Sequence, residues 1–282
     1  DVMNELTKRG HVAIGSDILE SSPFFVSYYK MDITNFLEVS NVLEKIKPDA
    51  IIHCAAWTAV DLAEDEDKKE LVKNINTIGT ENIAKIAKKI DAKMIYISTD
   101  YVFNGQGEQP WEPDSKDYAP LNYYGETKLG GELVVFNYVK KFFIVRIAWV
   151  FGKNGKNFIK TMLSLYDKGL RQLKVVNDQI GTPTYTFDLA RLLVDMVESE
   201  KYGYYHATNE GGYISWADFA KEIFKEANLN MEITPVSTKE YGISKAKRPF
   251  NSRLNKSKLI ENGFKPLPAW QDALKRYLKE IK

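Results

Sequence analysis

The run Met94-Ile95-Tyr96-Ile97, followed directly by Ser98-Thr99-Asp100, decides the fold. Four apolar residues between polar neighbours read as a strand buried on both faces, the pattern of a parallel sheet flanked by helices. In such sheets ligands gather beyond the carboxyl ends of the strands. There this chain places two hydroxyls and a carboxylate. Further on, Tyr123-Tyr124-Gly125-Glu126-Thr127-Lys128 opens a helical pattern. Tyr124 and Lys128 stand four apart and share one helix face. Their chemistry suits proton exchange at an alcohol or ketone. A phenol ionises near pH 10, and a neighbouring ammonium brings that value down; the Thr99 hydroxyl can hydrogen-bond the carbonyl oxygen. A Tyr four residues before a Lys is, alone, an ordinary solvated helix face. The strand-end Ser-Thr-Asp makes Tyr124, Lys128 and Thr99 a candidate catalytic set.

Composition narrows the class. The 282 residues allow one large domain or two modest ones, and 44% hydrophobic with 27% charged residues is a globular balance. A net charge of +1 sets up no field to attract nucleic acid or an anionic membrane. No apolar run approaches the roughly 20 residues that span a bilayer. One cysteine, Cys54, excludes an internal disulfide and a multi-cysteine metal site. No signal peptide is visible, although the chain starts inside an element, and the cytoplasm is the expected location.

Outward from the central stretch, residues 1–10 read as the tail of a helix stopped by Gly10, and residues 11–14 as a short strand ending near Asp17. A doubly wound dinucleotide-binding sheet begins with a strand and a glycine-rich turn that cradles the pyrophosphate. The sequence has neither, so a missing first βα turn is expected, and the irregular segment 20–30 has room for a second omission. Asp17 has two readings, a ribose hydroxyl partner that favours NADH or a turn cap. Asp32 and Ile33 lie before a helix over 35–47, with Asp32 as its N-cap. The strand 48–56 runs past His53, read as core, into Ala55 and Ala56, small residues that admit a cofactor backbone or a packed helix. Residues 64–69 read as a solvated charged face, and 70–89 as a helix carrying Asn76.

Residues 104–120 form a loop rich in Gly, Pro and acids, too long to be idle and placed to cover a substrate. The strand 142–147 ends at Ala148-Trp149, where the indole either stacks on a sugar or base or belongs to the core. Helices are expected over 157–168, 186–198, 216–227 and 270–279, and strands over 173–176 and 203–208. The helix 186–198 is expected to return to the first domain and 270–279 to pack on the core. Arg248 suits bidentate pairing with a diphosphate, against the ordinary reading of a surface cation. His11 and His206 lack metal-ligand spacing.

The strings STDYVF (98–103), PLNYYGETK (120–128), RIAWVFG (146–152), VVNDQIGTPT (175–184) and RPFNSRL (248–254) resemble the extended short-chain dehydrogenase/reductases. Within them they resemble the dTDP-4-dehydrorhamnose reductase branch over almost the whole chain. The resemblance implies an α/β protein: a Rossmann-type doubly wound parallel sheet over 1–150 and a smaller mixed α/β substrate lobe over 151–282. It implies reduction, by NADPH or NADH, of the C4 ketone of dTDP-4-dehydro-6-deoxy-L-mannose to dTDP-L-rhamnose. Cofactor contacts would come from Asp17, Asp32, Ile33, Ala55, Ala56, Trp57, Asn76, Ser98, Tyr124 and Lys128. Substrate contacts would come from Thr99, Asp100, Tyr101, Phe103, Trp149, Asn157, Gln179 and Arg248. Trp57 departs from the side-chain type expected there, which leaves backbone contacts intact, and Asn76 would fix helix geometry beside the site. Some members are described as holding Mg²⁺ at a dimer interface through acidic side chains. Here Phe187, with Asp188 adjacent, stands at one such place, so no metal is expected and a homodimer stays open. Two rivals remain: another sugar-nucleotide reductase or epimerase, and a non-catalytic subunit like the regulatory β subunit of methionine adenosyltransferase. The intact Thr99, Tyr124 and Lys128 set opposes the latter.

Overall fold

The computed structural model describes residues 1–21, 27–242 and 244–281. Its strands are β1 (Ile14–Asp17), β2 (Ser27–Lys30), β3 (Ala50–His53), β4 (Lys93–Thr99), β5 (Phe142–Ile147), β6 (Val150–Phe151), β7 (Gln172–Val176), β8 (Ile180–Gly181), β9 (Thr184–Tyr185), β10 (Gly203–His206), β11 (Ile214–Ser215) and β12 (Glu232–Val236). Its helices are α1 (Val2–Lys8), α2 (Phe36–Ile46), α3 (Lys69–Lys73), α4 (Thr80–Lys89), α5 (Tyr123–Tyr138), α6 (Phe158–Asp167), α7 (Thr186–Val197), α8 (Trp216–Glu226), α9 (Thr238–Tyr241), α10 (Ser257–Glu261) and α11 (Trp270–Glu280).

The main sheet is parallel, in the order β10-β5-β4-β3. Its central strands are apolar on both faces because both faces are covered. On one side Met94, Tyr96 and Ile144 meet α2, α4 and α5 through Val39, Ile83, Ala87 and Val135. On the other, Ile95, Phe143 and Val145 meet Leu189, Leu192, Leu193 and Met196. Those four recur at the helical spacing that makes one apolar stripe, so α7 packs on this sheet. So does β10, whose residues also lie beyond position 151. β1 and β2 pair in parallel as a separate ribbon.

A second apolar cluster gathers Phe151, Phe219, Trp270, Leu274 and Tyr277 under α6, α8 and α11, beside the parallel pair β7-β12. Helix α8 starts at a capping box, with the Ser215 side chain accepting from the Asp218 amide and the Asp218 carboxylate accepting in return. Among the described residues no helix is long and apolar enough to cross a membrane.

Several expected elements differ. The first strand runs over Ile14–Asp17 instead of 11–14, because residues 9–11 complete the C-terminal turn of α1. Gly10, at φ +84, donates to the Thr7 carbonyl at 3.0 Å, and the His11 amide reaches Leu6 at 3.0 Å. The N-cap of α2 is Asn35, whose side chain accepts from Leu37 and Glu38; Asp32 instead closes a turn on the Thr34 amide and hydroxyl. The helix expected over 70–89 is interrupted by a π-helical turn, Asn74–Gly79. Of the irregular segment 20–30, residues 22–26 lie outside the described residues.

Candidate active site

Helix α5 lies unusually close to the strand ends. Asn122 caps it, accepting from the Gly125 amide at 2.8 Å, while Glu64 accepts from the Tyr123 amide at 2.8 Å. Glu64 is therefore a capping group and not part of a solvated face. Gly125 allows the first turn to touch the Asp100–Val102 turn: a Cβ there would stand 2.4 Å from the Tyr101 carbonyl oxygen. Gly131 does the same one level down, where a Cβ would stand 2.2 Å from the Tyr96 hydroxyl. The π-helical turn rotates Asn76 inward, a common use of such bulges near functional sites. Its amide accepts from the Trp57 backbone at 2.8 Å and donates to the Thr127 hydroxyl at 3.0 Å. Thr77 donates to the Thr127 carbonyl at 2.9 Å. The catalytic helix, the segment after β3 and the bulge are thus one hydrogen-bonded unit.

This packing brings together Thr99, Tyr124 and Lys128. Tyr124 is half-buried, and desolvation of the phenol pushes its pKa up; the Thr99 hydroxyl opposes that rise, and Asp100 and Tyr101 reinforce it. Lys128 is not among the groups acting on the phenol. Its ammonium donates to the Ile97 carbonyl at 2.7 Å and lies 4.0 Å from the Tyr96 ring centre. The expected depression of the Tyr124 pKa by Lys128 is therefore corrected: burial dominates the phenol, and the ammonium is drawn toward the strand. Burial also pulls Lys128 down to about 7, against a rise from Glu132. Asp100, buried and raised to about 6 by desolvation, accepts from Thr99 at 3.1 Å and from the Ser252 hydroxyl.

Around this centre, Tyr101 meets Tyr124 edge-on, with ring centres 5.8 Å apart, and accepts from Arg248 at 3.2 Å. Arg248 also pairs with Asp61 at 2.7 Å. Trp149 holds a left-handed backbone, φ +52, and stacks on Trp216 with centres 3.7 Å apart. The indole fits because position 181 is glycine: a Cβ there would come within 3.0 Å of it. Nearer the sheet edge, Ala55 is exposed, and the exposed Asp17 carboxylate accepts from the Leu19 amide at 3.3 Å. Ile33 packs against Gly79, and its carbonyl accepts from Asn82 at 2.9 Å.

Other expected contacts lie elsewhere. Ser98 faces away from Thr99, as successive strand residues must, and donates to Glu132. Phe103 is fully buried and stacks on Trp111 at 4.5 Å. Asn157 is spent as the N-cap of α6, its amide donating to the Gly152 carbonyl and the Tyr277 hydroxyl. Gln179 is buried against Thr238 at 3.0 Å. Loop 104–120 is no free flap: Trp111 exchanges backbone bonds with Arg253 and Asn255 at 2.9 and 2.8 Å. Asp188 pairs with Arg276 at 2.6 Å, and His53 is core, bonded to Thr80 at 3.0 Å. Asp61, Glu64, Glu132 and Ser252 were not singled out from sequence; only Asn122, a capping type before a helix, carried a local signal.

Comparison with known proteins agrees with this geometry. Residues 2–282 match the family described as RmlD substrate binding domain. The chain is 41% identical over 266 residues to dTDP-4-dehydrorhamnose reductase of Escherichia coli (strain K12), covering 90% of this chain and 86% of that one. It is 40% identical over 250 residues to the spore coat polysaccharide biosynthesis protein SpsK of Bacillus subtilis (strain 168), covering 89% and 86%. A crystal structure of dTDP-4-dehydrorhamnose reductase from Bacillus anthracis str. Ames in complex with NADP superposes with a TM-score of 0.86 at 39% identity, covering 95% of this chain and 98% of that one.

Proposed function

The chain belongs to the RmlD substrate binding domain family, and from that membership we propose that it is an NAD(P)H-dependent dTDP-4-dehydrorhamnose reductase. It reduces the C4 ketone of dTDP-4-dehydro-6-deoxy-L-mannose to dTDP-L-rhamnose. The observation that carries the reading is the placement of Thr99 at the carboxyl end of a parallel strand beside the helix that carries Tyr124 and Lys128 one turn apart, with the Lys128 ammonium bonded to the Ile97 carbonyl of that strand.

The residues present fit the nicotinamide end of a dinucleotide. Lys128 spends one of its three donors on Ile97, leaving two for ribose hydroxyls. The exposed Ala55 leaves room for close approach, and the exposed Asp17 carboxylate suits the adenosine ribose. Ala56, Trp57 and Ile33 would contact the dinucleotide, with Asn76 holding Trp57 in place. The bound cofactor supplies a hydride to the carbonyl carbon. Tyr124 donates the proton to the carbonyl oxygen; its raised pKa keeps it in the protonated form that a reduction requires. Thr99 has one hydroxyl proton, now directed at Asp100, and turns it to the carbonyl; Asp100 keeps Ser252 when it does. Lys128 would hold the nicotinamide ribose with its remaining donors. Tyr101, Trp149 and Arg248 border the sugar-nucleotide, Arg248 reaching the diphosphate by exchanging Asp61 for it.

Cytoplasmic location belongs to this reading, and sedimentation decides between a monomer and a homodimer. The function is tested by following NADPH and NADH oxidation with dTDP-4-dehydrorhamnose. Stoichiometric oxidation with dTDP-L-rhamnose as product is expected. Sugar conversion without net cofactor oxidation would mark an epimerase instead.

A further inference from the structure

Below the reacting groups, Glu132 and Arg146 form an ion pair with both side chains fully buried, at 2.7 Å. Glu132 lies one helical turn after Lys128 on α5. One of its oxygens accepts from Ser98 at 2.5 Å and from Arg146 Nε at 2.8 Å, the other from Arg146 Nη2. Ser98 and Arg146 are register partners on β4 and β5, one step before Thr99 and Ile147. The carboxylate therefore ties the helix carrying Tyr124 to the two strand ends beside Thr99. Arg146 extends the tie to loop 104–120, donating to the Pro113 carbonyl at 3.0 Å and the Tyr118 hydroxyl at 3.1 Å. A buried ion pair seldom outperforms apolar packing in stability, so its presence beneath the site calls for another role.

We propose that Glu132 is a positioning residue for the reduction: it pins α5 to β4 and β5 so that Tyr124 is held beside Thr99, and it stands as the buried counter-ion one helical turn from Lys128. The inference rests on the reading of Tyr124, Lys128 and Thr99 as the reaction centre. Lys128 is also faced by His53 and Cys54 from the end of β3 and by Tyr96 from β4, while Arg146 faces Glu132 from β5. Burial opposes the ammonium and Glu132 supports it, so removing Glu132 should let Lys128 lose its proton at lower pH.

Glu132→Gln keeps the shape and an acceptor for Arg146 while removing the charge. It is expected to lower kcat at least ~10-fold with KM within about twofold, and to move the alkaline limb of kcat down by about one pH unit. The same downward shift is expected, without substrate, in the titration of the Lys128 ¹³Cε resonance, assigned by its loss in Lys128→Arg. Ser98→Ala, which leaves the ion pair in place, should lower kcat several-fold with the limb unmoved. A purely structural Glu132 would lower the unfolding temperature and leave both kcat and the Lys128 titration at their wild-type values; that result overturns the proposal. If Glu132→Gln does not fold, Glu132→Leu/Arg146→Met decides by the same kcat criterion, because an apolar pair of similar volume is expected to fold. Wild-type protein inactive on the sugar nucleotide, with the Lys128 titration still moved by Glu132→Gln, would overturn the reductase reading and support the counter-ion role.

Discussion

At the scale of single residues, the phenol decides the chemistry. Tyr124→Phe removes the proton donor and should cut kcat by 10²–10⁴-fold, the range for lost general acid catalysis, with KM little changed in an NADPH oxidation assay. Asp100 gives a second, thermodynamic prediction. Its carboxyl is raised to about 6 in the fold, against about 3.9 unfolded. Between those values the native state binds more protons, so stability falls as pH rises through this window and is fullest below it. The cost of the ionised form at pH 7 is about 3 kcal/mol. Asp100→Asn should flatten urea-derived stability between pH 4 and 6, and raise it at pH 7 by up to that amount. The sequence pointed to Thr99, Tyr124 and Lys128 because type and spacing are local properties. It could not say which of Ser98 and Thr99 faces the ligand edge, since neighbouring strand residues alternate and only the pairing register chooses between them. The electrostatics of Lys128 were illegible for a similar reason: the Ile97 carbonyl that draws the ammonium away is brought near by tertiary packing.

At the scale of elements, α5 carries the site and its first turn is the most exacting part. Asn122 both caps the helix and donates to the Lys247 carbonyl at 2.8 Å. Asn122→Ala should cost about 1 kcal/mol of stability in chemical denaturation, together with a measurable loss of kcat as Tyr124 loosens. The bounds of α5, β5, α7 and α8 could be read to within a residue or two, since caps and apolar periods mark them. The π-helical turn could not: one extra residue per turn leaves the apolar pattern of 70–89 intact, while rotating Asn76 from an outward to an inward position. Phe103 was misread through its neighbourhood, since the string that holds it also holds core positions.

At the scale of the whole molecule, Arg248 and Asp61 join segments 187 positions apart, a relation that no local pattern reveals. If the guanidinium exchanges Asp61 for a diphosphate, Arg248→Ala should raise KM for the sugar nucleotide about 10-fold or more, the worth of a charge-assisted hydrogen bond, with kcat nearly unchanged. The return of α7 and β10 to the main sheet bears on how the protein is born. A chain under synthesis emerges from its amino end at about 5–20 residues each second. The central strands leave the ribosome well before residues 186–206, which cover one face of the sheet and extend its edge. Until then Phe143 and Val145 stay wet, and a polypeptide cut after residue 150 should clump on refolding where one reaching residue 281 does not, as light scattering would record. Nascent-chain chaperones would have their longest hold on this protein in that interval, before later segments close over the hydrophobic floor.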